Sequence, residues 1–104
     1  MNTEKAVERI RSFETLLSAC TEDVQRFETL LEEYRSIQGR IRSLTEYYGS
    51  EEWYSDRALD EEGLLPKNLP RGVLSEDPVY DVITGNRDNA IRMLETATEI
   101  LKNL

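Results

Sequence analysis

The chain has 104 residues, with 13 Lys plus Arg against 21 Asp plus Glu, no histidine and a formal charge of -8. Its length suits one helical domain over residues 1–104 with a modest core, and its charge repels phosphate backbones and anionic lipid heads, so neither nucleic acid nor membrane is an expected partner. Without histidine, His-based general bases, Ser-His and Cys-His nucleophile pairs and most zinc sites are missing from the inventory, and Cys20, the one cysteine, has no partner for a disulfide or a metal.

The N-terminus, Met1-Asn2-Thr3-Glu4-Lys5, lacks the basic and apolar regions of a signal peptide, and no apolar run approaches the ~18 residues that cross a bilayer, so the expected location is cytoplasmic. From Thr3, a candidate N-cap, to Tyr48 there is no proline and one glycine, Gly39. Alternating three-four spacing through Thr3, Ala6, Ile10, Phe13, Leu17, Cys20, Val24, Phe27, Leu31, Tyr34, Gln38, Ile41, Thr45 and Tyr48 keeps one phase, and 11 of these 14 positions are apolar or aromatic. This pattern predicts one long heptad-patterned helix over about residues 4–48. Cys20 falls on the seam, where a thiol behaves as a small hydrophobe and is expected in the core.

Leu16, Leu30, Ile37 and Leu44 add a second apolar column one residue before a seam position. The C-terminal half is therefore expected to touch two neighbouring helices and the N-terminal half fewer. A 45-residue helix is roughly 65–70 Å long, whereas a compact domain of this chain length is about 33 Å across. The helix must break, most naturally at residues 18–23 where Ser, Thr and Asp could cap, or project and meet a second copy. The uninterrupted phase favours projection with self-association.

Gly49 suits a helix C-cap and Ser50 the N-cap of a second helix over about residues 51–62, which stops at Gly63. Residues 64–74 hold two prolines and a glycine that block helix, yet five of the eleven are Leu or Val, so this stretch is expected to lie extended with some of those side chains buried. Ser75 reads as the cap of a third helix over about residues 76–103, with Glu76, Asp77 and Pro78 in its first turn and Leu74 and Val79 as a hydrophobic staple. Gly85-Asn86 interrupts its apolar pattern and is a candidate kink. The fold class is thus all-α, a helical bundle or coiled-coil-like packing of the long helix with the short and C-terminal ones.

The blocks Tyr47-Tyr48-Gly49-Ser50-Glu51-Glu52-Trp53 with Asp56, Leu65-Pro66 with Leu69, and Arg71-Gly72-Val73-Leu74-Ser75-Glu76-Asp77 with Tyr80-Asp81 resemble those of a bacterial family of short helical proteins known only as a domain of unknown function. The resemblance spans about residues 8–101. It supports the helix boundaries and implies no activity, cofactor or partner. Pro78 is a mild departure that sharpens the start of the third helix.

Aromatic and arginine residues around the second helix and the following loop, with Trp53, Arg71 and Tyr80 foremost, are of the type that anchors protein interfaces. The favoured reading is that Tyr48, Trp53 and Tyr80 pin the helix and loop onto the bundle, with Arg71 pairing Asp56 or Asp81. Glu52 with Asp56, and Asp77 with Asp81, each share a helix face at four-residue spacing, as magnesium-binding all-α hydrolases of nucleotides require, although exposed helix faces produce such pairs constantly. Acidic mimicry of DNA is disfavoured because bases are interspersed with the acids. These observations converge on a non-catalytic interaction protein, a small cytosolic adaptor or regulator without a cofactor. It would bind itself or another protein through Ile10, Phe13 and Leu17 or through Trp53, Arg71 and Tyr80. The alternative is a magnesium-dependent nucleotide hydrolase using Glu52, Asp56, Asp77 and Asp81.

Overall fold

The computed structural model describes residues 3–104, and every regular element among them is helical: α1 (Thr3–Ser36), α2 (Gln38–Tyr47), α3 (Glu51–Glu61), a 3-10 turn (Gly72–Leu74) and α4 (Glu76–Lys102). The chain divides into two compact units, one reaching to Gln38 and the other comprising Gly39–Leu104.

In the first unit, the 34 residues of α1 rise about 50 Å. The helix runs through residues 18–23 without a break, because Thr21 does not cap. Its hydroxyl donates back to the Leu17 carbonyl at 2.8 Å, as Thr15 and Thr29 do to Arg11 and Gln25, and Asp23 pairs with Arg26 at 2.9 Å. Thr3, expected as the cap, already belongs to the helix.

The predicted helix over 4–48 instead divides at Ile37, a turn residue between α1 and α2. Here side chains compete for the last carbonyls of α1: Ser36 Oγ donates to Glu33 at 2.7 Å and Gln38 Nε2 to Tyr34 at 3.1 Å, while the Ile37 N–H still reaches Glu33 at 3.2 Å. The heptad phase carries no trace of this competition. None of the residues of α1 or α2 is fully buried, but the half-buried ones gather in the wider half of the seam, at Tyr34, Ile37, Ile41, Leu44, Tyr47 and Tyr48. Cys20, expected in the core, is exposed.

In the second unit, Gly49 turns the chain at φ 79° and Ser50 accepts the Trp53 N–H at 3.2 Å, so the cap and the start of α3 lie where expected. At the other end of α3, Gly63 has φ 72°, its N–H donates to Asp60 and the Leu64 N–H reaches back to Leu59, both at 3.0 Å. These two bonds form a Schellman motif, which satisfies the last carbonyls. Residues 64–74 turn at Pro66, whose carbonyl accepts the Leu69 N–H at 3.2 Å, and again in the 3-10 turn. Among their apolar side chains Leu74 is buried and Leu65 half-buried, whereas Leu64, Leu69 and Val73 are exposed.

Ser75 stands at the N-cap of α4 in extended conformation, but its side chain makes no capping hydrogen bond. The staple carries the start of α4 instead: Leu74 and Val79 are both buried. Helix α4 continues through Gly85-Asn86 to Lys102 without the candidate kink interrupting it. Beyond its first turn its side chains are half-buried or exposed, with Leu94 and Leu101 each about 70 % exposed (71 % and 70 %).

Candidate functional site

Two features stand out, one in each unit. The first is a corner built on Trp53, which is 3 % exposed and, with Leu74 and Val79, makes up the buried apolar residues among those described. Its indole N–H donates to the Val73 carbonyl at 2.8 Å, tying α3 to the 3-10 turn 20 residues later. Tyr48 and Tyr54 meet the ring edge-on, with centroids 5.2 and 5.0 Å away, and the Arg57 guanidinium lies 5.2 Å from the ring centroid. Arg57 also pairs with Glu76 at 3.2 Å, linking α3 to the first turn of α4.

Two polar contacts brace this corner. The Tyr47 hydroxyl donates to Asp56 Oδ2 at 2.6 Å. That bond, burial of the phenol, and the charges of Asp56 and Glu52 push the Tyr47 pKa up from 10.0 to about 12. Arg71 lies with its Nε 3.1 Å from Asp60 Oδ1, a contact misaligned for a hydrogen bond and hence an ion pair. Its terminal nitrogen donates to the carbonyls of Leu65 and Pro66. Arg71 therefore staples the loop to α3.

These contacts bear on several expectations and correct some of them. Trp53 is enclosed and its N–H committed to the Val73 carbonyl, which fits the role of pinning α3 to the loop. Arg71 pairs with Asp60 rather than with Asp56 or Asp81. Tyr80 is exposed, away from the pinning role considered for it. The proposed magnesium ligands Glu52, Asp56, Asp77 and Asp81 do not converge: among the described residues no group of three or more His, Cys, Asp or Glu is arranged to hold a metal ion. An open depression lined by Glu46, Tyr47, Ser50, Glu51 and Glu52 adds acidic surface without such an arrangement.

The second feature is the seam of α1. Ile10, Phe13 and Leu17 are all exposed, Phe13 to 63 %, and Leu16, Val24, Phe27, Leu30 and Leu31 continue the apolar stripe in the same state. The charged residues beside it pair within the helix, Arg26 with Asp23 and Arg35 with Glu32. Contiguous apolar stripes of this extent are uncommon on the surface of a monomeric domain.

What sequence reasoning missed in the Trp53 corner are the contacts of Tyr47 with Asp56, Arg57 with Trp53 and Arg71 with Asp60. The second had a local signal, four-residue spacing on one helix. The other two depend on how the chain turns at Gly49 and at Gly63.

No helix among the described residues is long and apolar enough to cross a membrane. No curated protein and no solved structure matches the chain. Residues 10–96 match the model of the family described as Domain of unknown function (DUF4298), a span that includes most of the α1 seam and the whole Trp53 corner, and the chain belongs to that family.

Proposed function

We propose that this protein is a non-catalytic protein–protein interaction module whose docking surface is the apolar seam of α1, with Ile10, Phe13 and Leu17 at its N-terminal end. The observation that carries this reading is the exposure of that seam from Ile10 to Leu31. A surface of alternating aromatic and aliphatic groups at three-four spacing is what a partner helix recognises, through knobs set into holes. The Trp53 corner supports a scaffolding role for Gly39–Leu104, since its aromatic and arginine groups are turned toward one another. The hydrolase alternative draws less support, because Asp56 is engaged by Tyr47 and among the described residues no three acids are grouped to hold a metal ion.

The test is the double substitution Phe13→Asp with Leu17→Asp, read by two signals. Far-UV circular dichroism follows total helix, and the fluorescence of Trp53, the single tryptophan, follows the second unit alone. For a docking surface, the substitutions abolish association while the Trp53 emission and its unfolding midpoint stay as in the wild type. A fall in the Trp53 midpoint would mean that the seam serves the chain's own core, which defeats the proposal.

A further inference from the structure

We infer that the occupant of the α1 seam is the α1 seam of a second copy, paired antiparallel about a two-fold axis between Ser18 and Ala19. This rests on the seam being a docking surface and names its partner. In an isologous contact of this kind, residue i of one copy faces residue 37 − i of the other, so Leu17 meets the second copy's Cys20, Phe13 its Val24, Ile10 its Phe27 and Ala6 its Leu31.

Side-chain volume selects this arrangement. Every layer sets a larger group against a smaller one, and no layer holds two aromatics or two of Ala, Cys and Thr. A parallel, in-register pair would instead stack Phe13 on Phe13 and Phe27 on Phe27 while leaving Ala6 on Ala6 and Cys20 on Cys20. Overpacked layers would alternate with voids, and each kind is destabilising.

Charge selects it too. Residues 3–18 carry three acids and three bases, whereas residues 19–36 carry five acids and two bases, a net charge of -3. Antiparallel pairing faces the acidic half with the neutral one, and parallel pairing faces it with itself. At the flanks, a parallel pair gains Arg9 beside Glu14 but sets Asp23 beside Glu28. The antiparallel pair has no like-charge neighbours there, since Glu14 falls beside Thr21 and Glu28 beside Val7.

The area is sufficient. Nine large apolar residues of α1 are exposed, between 42 % and 63 % each. At roughly 100 Å² apiece they offer on the order of 900 Å² per copy, against the ~800 Å² per partner of a standard stable interface.

Spin labels decide the orientation in the full chain. In a Cys20→Ala background, cysteines introduced as Glu4→Cys or Ser18→Cys occupy the same heptad position. Antiparallel pairing brings the Ser18 labels close together and separates the Glu4 labels by more than about 40 Å, since Glu4 then lies opposite residue 33. Equal, short distances at both sites mean a parallel dimer and overturn the proposal. A monomer mass by light scattering at tens of micromolar also overturns it, and the Trp53 midpoint in the Phe13→Asp, Leu17→Asp variant then tells whether the docking reading falls with it: unchanged, the seam remains a surface for a different protein; lowered, it is core.

Discussion

Tyr47 and Asp56 form a contact whose strength depends on which partner holds the proton. The phenol donates to the carboxylate at 2.6 Å, so the fold favours protonated Tyr47 and lifts its pKa from 10.0 to about 12. A pKa raised on folding gives stability that is complete below the unfolded value near 10 and is lost as pH climbs through 12. Titration of phenolate absorbance should therefore show Tyr47 ionising late. Asp56→Asn should return that tyrosine toward 10, because a neutral acceptor withdraws the negative charge while the geometry stays similar. In Tyr47→Phe the loss of stability between pH 10 and 12 should be smaller than in wild type. At Trp53 the decisive group is the indole N–H on the Val73 carbonyl. Trp53→Phe preserves an aromatic ring but leaves that carbonyl without its donor, a cost of about 1–3 kcal/mol by denaturant melts. Composition alone left Trp53 open between two readings, a pin for the helix and loop or an interface anchor, because a lone tryptophan among tyrosines and arginines describes both. The bond to a loop 20 residues away distinguishes them, and it exists only once the turn at Gly63 has been made.

Elements were read more reliably than contacts, and the reason is local chemistry. The Gly49-Ser50 corner, the stop at Gly63 and the start of α4 after Ser75 each rest on groups within a few residues: a left-handed glycine, a hydroxyl accepting a backbone N–H, a Leu74–Val79 staple. The division at Ile37 was not legible because the seam spacing runs on through it, and the Ser36 and Gln38 side-chain bonds that accompany it leave no mark on the apolar pattern. Glycines give opposite predictions according to backbone conformation. Gly63 sits at φ 72°, so Gly63→Ala should cost about 1–2 kcal/mol even though no atom lies within 4 Å of the added methyl. Gly85 lies within α4 at ordinary helical φ, also with open space around it, and Gly85→Ala should stabilise by up to about 1 kcal/mol. Thermal melts of the two variants should move in opposite directions.

For the whole molecule, the uneven distribution of buried groups sets how it unfolds. The buried apolar residues among those described, Trp53, Leu74 and Val79, all belong to Gly39–Leu104, whereas α1 buries none of its own. A helix in water draws most of its stability from packing of its apolar face, so α1 with an uncovered seam is marginal by itself and gains from whatever covers it. If a second copy supplies that cover, helix content must follow mass action while the Trp53 corner does not. Melts at 222 nm should then show an α1 transition whose midpoint rises by about 5 °C or more for each tenfold increase in protein concentration. The Trp53 fluorescence transition should stay fixed over the same range. One transition, coincident by both probes and independent of concentration, would instead mean that α1 is covered within its own chain. The exposed Leu94 and Leu101 of α4 would then be the residues to substitute next.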